Sequence, residues 1–180
     1  MSRVRLAAAL IVVATAAADV RDCACDPKRP ETMQARECGL CREAEAQPPA
    51  MTIFFLKDIN PRKPNRWLAL PREHAAGGHP MEDMPLAERT RLWLSAIAKG
   101  KELWGDQWGV AYNGEKVRTQ CHGHIHIGKL LAGVEYGRPL VIRGPHEIPA
   151  PKGKGVWVHP VGARLHVHIE ENITETVLLR

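Results

Sequence analysis

An alternating segment around residue 125 constrains the fold of this chain more than any other feature. His122, His124 and His126 alternate there with glycine and isoleucine. Because side chains two residues apart on a β-strand point to the same face, the pattern predicts a strand over residues 121–129. We expect its isoleucines to enter a core and its three histidines to project together from the opposite face.

The rest of the chain predicts an α+β fold with mostly antiparallel strands. Apolar, β-prone runs indicate further strands at residues 51–56, 67–70, 108–112, 156–159 and 165–169. The last two are expected to form a C-terminal hairpin. One long helix is predicted between residues 83 and 105, where apolar residues recur at near-helical spacing and Gly105 follows. A chain of 180 residues has room for one such domain.

The N-terminus is typical of a secretory signal peptide. Two arginines precede a short apolar run and an alanine-rich stretch within residues 1–18. Since the apolar run is short for a membrane span, a cleaved signal is favoured over a membrane anchor. We therefore expect a signal peptide at 1–18, a Cys-rich leader at 19–50 and the folded domain at 51–180. The protein is then exported, either periplasmic or secreted.

The five cysteines allow two interpretations. Cys23 and Cys25 form one close pair, Cys38 and Cys41 another, and Cys121 stands apart. In an exported protein, disulfides that cross-pair the two clusters are expected. A Cys-x-x-Cys pair is equally typical of a zinc site that recruits two further ligands. By strand alternation, Cys121 points away from the histidines, and we expect it to be a buried free thiol.

The charge balance limits the class of partner. Twenty-five Lys and Arg against twenty Asp and Glu give a net charge of +5. This suits an anionic substrate or contact with an anionic membrane surface. It is too small and too scattered to indicate nucleic-acid binding.

Three histidines on one strand face indicate chemistry rather than packing. Imidazole exchanges protons, acts as a nucleophile or binds metal near neutral pH. One interpretation is an enzyme that uses a histidine nucleophile. The alternative is an exported metal-binding protein in which the histidines and cysteines hold zinc or copper and no turnover occurs.

The histidine pattern resembles the histidine-triad superfamily of nucleotide hydrolases and transferases. The resemblance extends upstream through segments 55–59, 66–74 and 112–114, and it runs from about residue 53 to residue 127. Within the superfamily, segments 54–59 and 118–127 look most like CDP-diacylglycerol pyrophosphatases. Two residues depart from the usual pattern: Gly123 stands where a bulkier residue is usual, and Arg66 where many branches have histidine.

The resemblance implies a histidine-triad-like sheet with one long helix and the C-terminal hairpin, and it assigns roles to the histidines. His124 would attack the α-phosphorus of a nucleotide or nucleotide-lipid substrate and form a phosphohistidine that water resolves. His126 would orient His124 or stabilise the phosphate oxygens, and His122 completes the triad. Catalysis would need no metal, and a homodimer is compatible with the family. Substrate contacts would come from Asn113, Arg118 and Gln120.

A structural zinc is a further implication of the resemblance. Some branches hold one through a Cys-x-x-Cys pair, a histidine after the second strand and the first triad histidine. In this chain those positions are Cys38, Cys41, His74 and His122, a set of the right type for a closed tetrahedral site.

Three other histidines lie in the C-terminal hairpin. His166 and His168 share a strand face, and His159 belongs to the preceding strand. Since no carboxylate or third ligand stands at a convincing spacing, these histidines are interpreted as ordinary strand residues.

Overall fold

A computed structural model describes residues 20–170 and 173–180. The predicted signal peptide at 1–18 lies outside the described residues. Within them, seven strands form one sheet in the order β1-β2-β4-β3-β6-β7-β5, and all neighbours are antiparallel. The strands are β1 Ile53–Lys57, β2 Trp67–Pro71, β3 Trp108–Tyr112, β4 Ile125–Lys129, β5 Leu140–Ile142, β6 Gly155–Val161 and β7 Arg164–Glu170. Two α-helices accompany them, α1 Gly39–Glu45 and α2 Leu86–Trp104.

The helix α2 covers one face of the sheet. Its apolar side buries Leu92, Trp93, Ala96 and Ile97 against inward-facing residues of the central strands. The helix begins after Pro85, whose backbone is extended, and ends at Gly105, where φ is +56°. A left-handed φ favours glycine at a helix end. The predicted α+β fold with one long helix is confirmed.

The predicted histidine strand is shorter than expected. β4 begins at Ile125, and the backbone before it leaves the sheet. The amide of Gly123 donates to the carbonyl of His79 (3.2 Å), and the amide of Cys121 donates to the carbonyl of Glu37 (2.8 Å). Because these hydrogen bonds replace sheet pairing, strand alternation no longer governs residues 121–123. The prediction that His122 shares a strand face with the other two histidines is therefore wrong.

The strands of the C-terminal hairpin are present as predicted, and β5 was missed. β5 has only three residues, pairs with β7 and lies at the sheet edge. Leu140 and Val141 are exposed there. A run this short carries little periodicity, so its pattern does not separate it from a loop.

The last residues of the chain pack on the sheet face opposite α2. A 3-10 helix, Thr174–Val177, brings Val177 and Leu178 onto Ala111 and Trp157. Two hydrogen bonds from the buried Arg66 side chain fix this segment. Its Nε donates to the carbonyl of Leu179 (3.0 Å), and its Nη2 donates to the carbonyl of Leu178 (2.6 Å). This face of the sheet also carries His124 and His126.

Two disulfides organise the leader. Cys25 pairs with Cys38, as cross-pairing of the clusters predicts, and Cys23 pairs with Cys121. The prediction of a free thiol at Cys121 is wrong, because that residue lies before the strand and faces the leader. Of the five cysteines, all within the described residues, Cys41 is the one without a disulfide, and it is buried. None of the helices in the described ranges is long and apolar enough to cross a membrane.

Candidate active site

His124 and His126 form the centre of the candidate site. They flank Ile125 at the start of β4, so both rings lie on the sheet face opposite α2. The ring centroids are 4.8 Å apart in an edge-to-face arrangement. His124 is 5% exposed and His126 6% exposed. Two adjacent imidazoles are therefore largely shielded from water.

The protonation state of His124 follows from one backbone contact. Its Nδ1 lies 2.8 Å from the carbonyl oxygen of His122. A carbonyl only accepts hydrogen bonds, so Nδ1 carries the proton and Nε2 keeps its lone pair. Burial lowers the pKa of His124 to about 4, despite the favourable bond to His122. At neutral pH the ring is therefore uncharged, with Nε2 unprotonated.

His126 is fixed by an amide and a carboxylate. The side-chain oxygen of Asn113 accepts hydrogen bonds from the amide of Glu175 and the hydroxyl of Thr174, both at 3.2 Å. Its nitrogen must therefore donate to Nε2 of His126, 3.3 Å away. The ring proton of His126 then sits on Nδ1, 3.3 Å from the Glu175 carboxylate at ion-pair distance but without hydrogen-bond alignment. Asn113, predicted as a substrate contact, positions His126 in this structure.

Glu175 is a site residue that the sequence analysis missed. Its carboxylate accepts bonds from Lys63 (2.7 and 2.8 Å) and from Nη1 of Arg66 (2.7 Å). Burial alone would raise the pKa of Glu175, but interactions with His126, Lys63 and Arg66 outweigh burial and hold it at about 2. It lies 49 residues after His126 in sequence, and no local pattern indicates that the chain end returns to β4.

Arg118 lies in a second buried network beside the histidines. Its Nη1 donates to the hydroxyl of Tyr112, which donates to Glu82 at 3.0 Å. The Arg118 charge contributes to lowering the pKa of His124. Its Nε has no hydrogen-bond partner among the described residues. Arg118 therefore offers a buried N–H donor, and its positive charge acts on His124.

Gln120 is occupied elsewhere. Its side-chain oxygen accepts from the amide of Leu40 (3.1 Å), and its nitrogen donates to the carbonyl of Arg36 (3.1 Å). Both ends of the amide thus fasten the leader to the domain. The amide nitrogen carries a second N–H, and the predicted substrate role of Gln120 stays a prediction.

His122 lies in a separate histidine cluster. Its Nε2 donates to the carbonyl of Pro71 at 2.8 Å, and its ring lies 5.5 Å from that of His74 and 6.3 Å from that of His79. Burial lowers the pKa of His122 to about 3. His122 contacts the candidate site through its backbone carbonyl, which accepts the hydrogen bond from Nδ1 of His124.

The predicted four-ligand zinc set is not assembled. Cys41, His74 and His122 are brought near one another: the Cys41 sulfur interacts with the His122 backbone, and the two histidine rings are edge-to-face. Cys38, however, is bonded to Cys25. A disulfide sulfur is not a thiolate and does not bind zinc as one, so the fourth ligand is missing.

Two other groups of metal-ligating side chains occur in the described residues. The first consists of Cys25, Cys38 and Cys121, whose sulfurs are engaged in disulfides. The second consists of Glu135, His159 and His166. The histidines of this second group are predicted from the sequence to be ordinary strand residues, because no carboxylate stands at a convincing spacing from them.

Comparison with known proteins adds no family assignment. No protein-family model matches this chain, and no curated protein matches it.

Proposed function

We propose that this protein is an exported nucleotide hydrolase or transferase of the histidine-triad type, with His124 as the nucleophile. The bond cleaved is the one between a nucleotidyl α-phosphate and its leaving group. The sequence motifs resemble CDP-diacylglycerol pyrophosphatases most, which makes a nucleotide-lipid the first substrate to test.

The bond from Nδ1 of His124 to the carbonyl of His122 is the observation that carries the proposal. At 2.8 Å it assigns the proton to Nδ1, and burial keeps the ring neutral at pH 7. A histidine nucleophile needs this state, with the attacking nitrogen unprotonated and the other nitrogen fixed by a hydrogen bond. Only 5% of His124 is exposed, so the proposal requires neighbouring side chains to move before an α-phosphate can reach Nε2.

The proposed reaction proceeds in two steps. The Nε2 lone pair of His124 forms a bond to the α-phosphorus, and the bond between that phosphorus and the leaving-group oxygen breaks, with its electron pair on the leaving oxygen. Water then attacks the same phosphorus and releases one proton to solvent, the N–P bond breaks, and its electron pair returns to Nε2. The leaving-group oxygen takes up one proton from solvent. The products are a nucleoside monophosphate and the released leaving group. Two steps with a covalent intermediate replace one difficult displacement.

Neighbouring groups support the charge changes. Arg118 has a buried Nε–H without a partner in the described part of the chain, and a guanidinium suits phosphate oxygens. Asn113 and Glu175 hold the ring of His126 beside His124. In this proposal Arg118 contacts the phosphate, and Asn113 and Glu175 are positioning residues for His126.

Intact-protein mass spectrometry tests the proposal. The purified protein is incubated with nucleoside phosphoramidates, dinucleoside polyphosphates and CDP-diacylglycerol, and products are followed in parallel. His124→Asn removes the nucleophile, and His146→Asn is the matched control because His146 is an exposed histidine outside the site.

We expect a nucleotidyl adduct or turnover in the wild type and in His146→Asn, and neither in His124→Asn. Hydrolysis by His124→Asn at the wild-type rate would refute the assignment of the nucleophile. If all three proteins are inert across the panel and carry metal, the metal-binding interpretation replaces the enzymatic one.

A further inference from the structure

The hairpin β6–β7 carries a further cluster of histidines. His159 on β6 and His166 on β7 are directly opposite each other in the register, and their ring centroids are 5.4 Å apart. Both side chains lie on the sheet face opposite α2, since Val158 and Val167 enter the core with the helix. This leaves two imidazoles side by side on the same face as the candidate active site.

A carboxylate from another part of the chain completes the cluster. Glu135, in the loop between β4 and β5, places one oxygen 3.8 Å from Nε2 of His159. The same oxygen accepts a hydrogen bond from Nδ1 of His166. The loop thereby supplies the carboxylate ligand that the local sequence around the two histidines does not contain.

We propose that Glu135, His159 and His166 form a binding site for a divalent transition-metal ion, with Zn²⁺ the best match. One ligand atom from each of the three side chains lies within 4.8 Å of the others. Two imidazole nitrogens and one carboxylate oxygen suit Zn²⁺, whereas Ca²⁺ and Mg²⁺ favour all-oxygen sets. Three protein ligands leave one or more coordination positions for water or a further ligand.

A buried, unpaired nitrogen supports the proposal independently. The His159 side chain is 4% exposed, and its Nε2 has no hydrogen-bond partner within the described ranges. A buried polar atom without a hydrogen-bond partner destabilises the folded state. A metal ion beside Glu135 would satisfy this atom, whereas no side chain of the described residues does so.

The surroundings hold the two strands of the hairpin in place. His168 stacks on Trp157 with ring centroids 3.7 Å apart and planes inclined by 5°. Glu170 accepts hydrogen bonds from Nε1 of Trp157 (2.7 Å) and from the hydroxyl of Tyr136 (2.8 Å). Since Tyr136 is the neighbour of Glu135, this bond also restrains the loop that carries the carboxylate.

The proposed metal site is distinct from the His124 centre. In the register, His126 aligns with Ala111, Ala111 with Trp157, and Trp157 with His168. His159 lies two residues after Trp157 on β6, two strands from His126 and about 10 Å away across the sheet at the usual strand spacing, and His166 lies one strand further. The metal site therefore does not depend on the proposed function, and the two proposals can fail separately.

Titration calorimetry with Zn²⁺ on the metal-stripped protein, disulfides intact, tests the site. Substitutions Glu135→Gln and His166→Ala each remove one ligand at a partly exposed position, so thermal denaturation can verify that both variants fold. His146→Ala is the matched control, because that exposed histidine lies outside the cluster. His124→Asn and Cys41→Ser test the active-site histidine and the free thiol as competing ligands.

We expect saturable binding of one Zn²⁺ at the cluster in the wild type and in the three control proteins. Glu135→Gln and His166→Ala should weaken it at least about tenfold. With Co²⁺ in place of Zn²⁺, the spectrum should lack a thiolate charge-transfer band. Unchanged affinity in folded Glu135→Gln and His166→Ala, no saturable binding in the wild type, or loss of binding in His124→Asn or Cys41→Ser would overturn the proposal.

Discussion

Acid should destabilise this protein at pH values well above those at which its carboxylates titrate. His122 and His124 are almost wholly buried, and burial lowers their pKa values from 6.5 to about 3 and about 4. Between pH 6.5 and pH 4 the unfolded chain therefore binds protons that the folded chain does not bind. By linkage, protonation of the unfolded state lowers the free energy of unfolding as the pH falls, and the stability is fully present above pH 6.5.

The size of the effect follows from the two pKa shifts. Between pH 7 and pH 4.5, each histidine contributes a loss of about 2–3 kcal/mol, so that the pair accounts for about 5 kcal/mol. Glu175 adds little in this window, because its pKa is lowered from 4.5 to about 2 and its contribution is lost below pH 4.5. A loss of this size is comparable to the whole stability of many domains.

Urea denaturation followed by tryptophan fluorescence measures the change, with the disulfides intact. The free energy of unfolding should fall by several kcal/mol between pH 7 and pH 4.5. In His124→Asn the fall should be smaller by about 2–3 kcal/mol, and in His146→Asn it should match the wild type. A stability that stays constant or rises over this interval would refute the conclusion that both rings are buried and neutral.

Two substitutions test the packing around the site. Gly123→Ala should lower the free energy of unfolding by about 1–3 kcal/mol, because the added Cβ would lie 2.8 Å from a backbone carbonyl oxygen. Gly39→Ala is the control, since its added Cβ meets only the ends of side chains. Equal melting temperatures of the two variants would contradict the close contact at Gly123. Arg66→Met should lower the free energy of unfolding by about 3–5 kcal/mol in urea denaturation, since it removes the buried donor of two backbone carbonyls and one of the two cations that pair with the Glu175 carboxylate. Lys63→Met, which removes a more exposed partner of the same carboxylate, should cost about 1 kcal/mol; similar losses in the two variants would argue against a special role for Arg66.

The two residues that differ from the histidine-triad pattern, which this sequence resembles, have structural reasons in this chain. Gly123 is required where the backbone approaches the carbonyl of His79. Arg66 occupies a buried position and binds the C-terminal carbonyls and Glu175. Neither reason is visible in sequence, because each depends on a segment that is distant along the chain.

The sequence predicts local elements well because their causes are local. Apolar periodicity places α2 and six of the seven strands, and Gly105 marks the helix end as expected. His124 and His126 lie on the same face of the sheet because side chains two residues apart in a strand point the same way. The prediction fails at His122 and Cys121, where hydrogen bonds to His79 and Glu37 take the backbone out of the sheet.

By itself, then, the sequence determined the α+β class, the long helix and the pair of histidines on one strand face, since residue period and turn chemistry act over a few positions. Only the tertiary structure decided which groups meet those histidines. Glu175 reaches His126 because residues 174–178 pack on the sheet face opposite α2, and Glu135 reaches His159 from the loop before β5, the strand that separates them along the chain. Contacts of this kind depend on how distant segments bury their apolar residues together, and no spacing rule along the chain records them.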